Sequence, residues 1–542
     1  MKVCPKCQRA YSDESLRFCR DDGAALRVTH TDDPTAILSA PSGIIMSSDL
    51  AGSGDIARRP YSGDIPAPSS TTGSLTPHKR SRKAIDSLAV LPLVNTNANS
   101  EMEYFSDGVT ESIINALSQL PKLRVVARST VFRYKGRDVD PRVVGQELGV
   151  RAVLTGRIQQ VGNGLMIGTE LIDVVNDAQL WGERYNRQLA DIFEVQEDIA
   201  HEISEKLRLK LTGSEKNRLR KRQTADTEAY QLYLKGRFFW NKRTGEAIKT
   251  SVDYFERAIG KDPIYAQAYA GLADAYNIMD NYGLLPGKDC FPLAKAAAMK
   301  ALEIDEALAE AHTSLAHAVE GADWNWSLAE QEYRRAIELN SNYATAHHWY
   351  GFHLFFRGKF EAALKELKQA QLLDPLSHIV NMGVAWGLFH AGEYAKSIQQ
   401  CLKTLELNPN FFVAHWVLGR NYEQQGMYTE AVAEFQKASE LSGDDPEIRA
   451  LLGHTYAISG KAEKAKKIVK ELQKESTRHH VSAYSIARVY VGLGDKATAL
   501  EWLQTAIDQR HFLVKFLNVD PQFDSLRSER KFSDLLRRIG LA

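Results

Sequence analysis

The stretch YATAHHWYGFHLFFRGKFEAALKELKQAQLLDP, Tyr343–Pro375, decides how the larger part of this chain folds. A small residue, Gly351, is followed by Ala363, Leu367, Ala370 and Pro375. The same spacing returns with a 34-residue period: Ala385, Leu388, Cys401 and Pro409; Gly419, Tyr422, Ala431, Phe435 and Ala438; Gly453, Tyr456, Ala465 and Val469; Ala487, Tyr490, Ala499, Leu503 and Ala506. One period earlier stand His317, Ala329, Tyr333 and Ala336. Small residues at fixed places let paired helices approach closely, and the bulky ones fill the seam. Two irregular units come first. One ends at YFERAIGKDP (Tyr254–Pro263); the other starts at AYAGLADAY (Ala268–Tyr276) and carries NYGLLPGKDC between its helices.

This pattern is identified as the tetratricopeptide repeat. It implies an all-α solenoid of about eight units over residues 226–513, with capping helices over 514–542. Resemblance to the repeat family assigns the second, fifth, ninth, twelfth and thirteenth positions of each unit to a concave groove. Here these give Thr345, His348, Phe352, Phe355 and Phe356; Ile379, Met382, Trp386, Phe389 and His390; Val413, Trp416, Arg420, Glu423 and Gln424; then Tyr484 and Arg488. Aromatic residues with Arg at the rim suit a protein or peptide ligand. The candidate peptide-binding residues are therefore His348, Phe352, Phe355, Phe356, Met382, Trp386, Phe389, His390, Trp416, Arg420, Tyr484 and Arg488. The plainer alternative is that the aromatics pack on neighbouring helices.

Residues 85–213 have a different texture. SLAVLPLV is a buried strand, Glu103–Leu120 a helix, LRVVAR (Leu123–Arg128) a second strand and Pro141–Leu148 a short helix. Apolar residues alternate on both sides of Gly162-Asn163-Gly164, which makes a hairpin. An amphipathic helix over Leu189–Leu211 closes the unit. EYFSDGVTESIINALSQLPKLRVVARSTVFRYKG and LIDVVNDAQLWGERYNRQLADIFEVQEDIA resemble the TolB-like amino-terminal domain, which precedes such repeats in many bacterial signalling proteins. In that family an output module (a protein kinase, an adenylate cyclase or a winged-helix DNA-binding domain) usually stands in front. In this sequence a cysteine knuckle and a polar segment stand there instead.

In the knuckle, residues 1–27, Cys4-x2-Cys7 has metal-ligand spacing and Cys19-x2-Asp22 repeats it with a carboxylate as the last donor. Zinc accepts three thiolates and an oxygen in a tetrahedral site. The stretch also resembles short zinc-ribbon halves, which usually carry four cysteines, so the fourth ligand is Asp22, a water or His30. A bound Zn2+ would be structural. Residues 28–84, dense in Pro, Gly, Ser and Thr, read as a disordered linker. The fold class is thus multidomain: a zinc-ribbon-like knuckle, an α/β TolB-like domain and an all-α solenoid.

Lys+Arg and Asp+Glu both total 68, so charge gives no reason to expect nucleic acid. Five cysteines, two of them isolated in helical patterns, fit a reducing compartment. No run is long enough to span a membrane, and the expected location is the cytoplasm. Catalytic constellations are missing. Gly162–Gly168 has the wrong glycine spacing for a dinucleotide loop, HEISE from His201 lacks a second His, and neither a phosphate-binding loop nor a G-x-S-x-G elbow occurs. The basic runs His78–Lys83 and Glu215–Arg222 read as solvated connectors. The expectation is a non-catalytic interaction scaffold in bacterial signalling, capable of oligomerising. The alternative is a regulatory subunit for transcription or cyclic-nucleotide signalling whose output a partner supplies.

Overall fold

The computed structural model describes residues 2–3, 10–11, 27–28, 85–97, 102–188, 191–207, 209, 211–219, 224–476 and 481–542. The chain divides into two compact units, residues 1–80 and 81–542. In the first, Lys2–Val3 pairs antiparallel with both Ala10–Tyr11 and Arg27–Val28. Cys4, Cys7, Cys19 and Asp22 lie outside the described residues, as does the segment 29–84.

The second unit opens with a six-stranded mixed sheet. Ser87–Val90 runs parallel to Arg124–Val125 on one side and to Ala152–Val161 on the other. The hairpin Ala152–Val161/Gly164–Asp173 extends antiparallel into Ala178–Gln188. The apolar run after Ser87 is split in two, because Pro92 has no N–H to give a ladder; Val94–Asn95 resumes pairing further along Ala152–Val161. LRVVAR keeps only Arg124–Val125 as strand. At Ala127 the backbone N–H donates to Leu373 O of the repeats at 2.8 Å, and Arg128–Val131 becomes a helical turn. The eleven-residue strand Ala178–Gln188 does not stand out in the sequence, since along its whole length only Trp181 and Tyr185 are buried. Helices Glu103–Ser118 and Ile192–Lys206 pack on each other and against the sheet.

From Thr227 to Asp508 eight antiparallel helix pairs follow among the described residues. Gly358, Gly392, Gly426, Gly460 and Gly494 make the turn inside successive pairs, all with φ between 70 and 80°. Side-chain-bearing residues disfavour that region, so the 34-residue period is written in the turns as well as the seams. In the seams, a Cβ on Gly236 or Gly271 would lie 2.5 or 2.6 Å from the Phe255 ring. Glycine there makes room for an aromatic knob between adjacent first helices.

The sheet unit is docked onto the repeats. Asn342 Nδ2 faces the carbonyls of Ser118, Leu123 and Leu120 at 2.8, 3.0 and 3.3 Å. Asp374 accepts from Ser129 and, at 2.7 Å, from the Thr130 hydroxyl. Buried Glu111 receives Arg128 and Arg237, each at 2.8 Å. No helix among the described residues is long and apolar enough to cross a membrane.

Candidate functional site

After Asp508 the chain turns at Gln509–His511, with Arg510 at φ 53°, and runs as two 3-10 stretches, Phe512–Phe516 and Pro521–Leu526. This arm lies across the first helices of the later repeats and meets the groove residues picked from the sequence. Phe516 sits in a cage: Phe356 is edge-on at 4.8 Å between ring centroids, Trp386 and His390 stack at 5.5 Å, and Phe352 is at 6.2 Å. Trp416 supports the cage by packing edge-on against Trp386 at 4.8 Å. Trp386 Nε1 donates to His390 Nε2 at 2.6 Å, and His390 Nδ1 reaches the Val519 carbonyl at 3.1 Å. One acceptor and one donor suit the neutral ring; burial, helped by nearby Arg420, holds its pKa down at about 3.

Four residues beyond Phe516, the Asp520 carboxylate is 1% exposed and fully partnered. Arg420 Nη2 donates to Oδ1 at 2.5 Å, Tyr484 donates its hydroxyl to Oδ2 at 3.0 Å, and Arg488 Nη2 stands 3.9 Å from Oδ2. Burial alone would raise this carboxyl; the guanidinium groups of Arg420 and Arg488 outweigh it and hold the pKa at about 2. Phe523 then packs on Tyr484 at 4.9 Å, and Gln522 Nε2 donates to buried Glu423 at 2.6 Å. At the other end, Lys515 Nζ pairs with Glu320 at 3.3 Å, and Glu320 also meets His353 Nδ1 at 2.7 Å. Burying such charges is tolerable only because each is paired.

Seven of the twelve candidate residues (Phe352, Phe356, Trp386, His390, Arg420, Tyr484 and Arg488) therefore touch one segment of the chain itself. Met382 lies in the same apolar cluster, and Phe389 lies under the Arg420 guanidinium, 4.6 Å from its ring centroid. His348 and Phe355 face elsewhere. They fill the spaces left by Gly383 and Gly387 of the next repeat, where a Cβ would lie 2.7 and 2.5 Å away. Burial sets the His348 pKa at about 4. Reading the candidates off the repeat pattern missed Glu320 and the arm's Lys515, Phe516, Asp520, Gln522 and Phe523. Their signal was KFLNVDPQF, Lys515–Phe523, an apolar segment with isolated charges that a polar end cap does not need. Cys290 and Cys401 are buried free thiols, both pushed up to about 12 by burial. No cluster of metal-ligating side chains occurs among the described residues.

Tetratricopeptide-repeat families match residues 353–410 and 422–478. The second domain of HilA/YgeH-like transcriptional regulators matches residues 83–203, which span most of the sheet unit. A putative adenylate cyclase of Rhizobium meliloti is 36% identical over 252 residues, 46% of this chain and 42% of that protein. The transcriptional regulator HilA of Salmonella typhimurium is 23% identical over 166 residues, 30% of each chain. The chain thus spans less than half the length of these curated relatives. Among solved structures, PilF of Pseudomonas aeruginosa aligns with 40% of this chain and 95% of its own, at 23% identity and a TM-score of 0.32. The carboxy-terminal region is a solenoid of tetratricopeptide repeats, preceded by a small sheet-containing unit.

Proposed function

We propose that this chain is a non-catalytic interaction scaffold in bacterial cytoplasmic signalling, whose repeats hold partner proteins while a TolB-like sheet unit docks beside them. The observation that carries the reading is the groove chemistry: an aromatic cage for a ring four residues from a carboxylate gripped by two Arg, closed on a segment of two 3-10 stretches. That is the recognition of one apolar anchor and one charge that peptide-binding surfaces use. A regulatory role is the second reading. It is favoured by the match of residues 83–203 to a domain of transcriptional regulators and by a relative named as a putative adenylate cyclase. These are outputs of the kind that the TolB-like resemblance implies.

Affinity capture with the full chain, followed by titration of each purified partner, tests the scaffold reading. Saturable binding that weakens at least ~10-fold in Trp386→Phe/Trp416→Phe, with the fold intact, supports it. Binding untouched by that pair for every partner overturns it. We further propose that Cys4, Cys7, Cys19 and Asp22 hold a structural Zn2+, since the donor set suits zinc. The expected outcome is about one zinc per chain by elemental analysis, lost in Cys7→Ser; purified wild type without zinc contradicts it.

A further inference from the structure

We propose that the arm Phe512–Leu526 is an exchangeable ligand, and that the partner fitted by the groove is the arm of a second copy of this chain. This rests on the reading of the groove as a protein-binding site and names its occupant.

The chemistry of the groove is defined by what it holds. From Lys515 onward the arm offers a cation to Glu320, an aromatic ring to the Phe352/Phe356/Trp386/His390 cage, a carboxylate to Arg420 and Arg488, and a second ring to Tyr484. A segment from another protein would need all four features in that spacing. It would also compete against a tethered arm, whose effective concentration is about millimolar. A second copy escapes both difficulties. When two copies exchange arms, every one of these contacts re-forms, two grooves are filled and none is left empty, so what opposes the exchange is association entropy and whatever holds the connecting turn closed.

The connection is of the kind that favours exchange. Helix Lys496–Asp508 is joined to the arm by Gln509–His511 alone, and Arg510 there adopts the left-handed region that a side-chain-bearing residue disfavours. Short strained hinges relax by opening toward a neighbour. Opposing this, the closed turn is held by Lys288 N–H to Gln509 O at 3.2 Å and by Arg510 Nη1 to Gly321 O at 3.0 Å.

Complementation between full-length variants tests the proposal. Asp520→Asn damages the arm and keeps the groove; Arg420→Met damages the groove and keeps the arm. Each alone should stay monomeric by light scattering. Their mixture should form a species of twice the mass, associating about 100-fold more tightly than either variant alone, because one native arm then meets one native groove. A mixture that stays monomeric while both variants are folded by circular dichroism overturns the proposal. So does equal dimerisation of either variant alone, which would put the contact elsewhere. If either buried-charge variant does not fold, Lys515→Met with Glu320→Gln repeats the test at the other end of the arm, with the same two outcomes deciding. A monomeric mixture leaves the scaffold reading standing, since that reading is judged on other purified proteins.

Discussion

His415 has an acceptor at each ring nitrogen: Glu434 Oε2 lies 2.7 Å from Nδ1 and the Pro409 carbonyl 3.2 Å from Nε2. The same brace recurs at His312 with Glu332 and Glu306 O, and at His347 with Glu366 and Ser341 O. Asn381 takes that position in the unit between, bonding Gln400 and Pro375 O. At His415 the two acceptors favour the doubly protonated ring. The hydrogen bond to Glu434 accordingly raises the His415 pKa above its ordinary value, although burial opposes this. A raised value means that the brace stabilises fully below the unfolded pKa of about 6.5 and is lost as pH climbs through the folded one. Glu434→Gln should therefore cost up to about 1 kcal/mol at pH 6 and almost nothing at pH 9, read from melting curves of the two proteins. A cost that is the same at both pH values contradicts the brace. The sequence shows His347-His348 as neighbours unfit to ligate one metal, but not that one braces two helices while the other fills the space beside a glycine. That division depends on which way each ring leaves the helix.

The arm is the element that the sequence describes least well. Its aromatic and Arg partners on the repeats were legible, because such residues recur at groove positions of units related by the 34-residue period, whereas Glu320 was not. The arm itself read as a cap. Its 3-10 stretches lack helical periodicity, and its charges find partners about 30 to 200 residues away. Removing one partner leaves buried charges uncompensated, which costs far more than the pair contributes. Asp520→Asn should lower stability to denaturant by about 3–5 kcal/mol, with Arg420 and Arg488 left facing an amide. Because the Asp520 pKa is depressed to about 2, its contribution is present above the ordinary carboxylate range and lost as pH falls toward 2. The wild-type advantage over Asp520→Asn should shrink along that descent. An advantage under about 1 kcal/mol at pH 7 would mean that the carboxylate is not held as described.

At the scale of the whole molecule, the two sequence textures belong to one body across residues 81–542. The change at Thr227 from a mixed α/β pattern to a purely helical one was legible. The docking between the parts was not, because it is made by backbone carbonyls at helix ends and by single polar residues such as Asn342 and Asp374. Asn342→Ala takes the side-chain donor from the carbonyls of Ser118 and Leu123, while Leu120 O keeps the Leu123 N–H at 3.0 Å. It should cost about 1–3 kcal/mol and shift sheet-sensitive and helix-sensitive unfolding signals together; two separated transitions in the wild type would contradict a single body. The central claim is that the groove of the repeats holds residues 512–526, and hydrogen exchange of the full chain tests it most directly. The account predicts that amides of Val514–Leu517 and Gln522–Phe523 exchange at least ~100-fold more slowly than an unstructured chain, with protection approaching that of helix Phe412–Gln424. Exchange of these amides at the unstructured rate, while that helix stays protected, would contradict it.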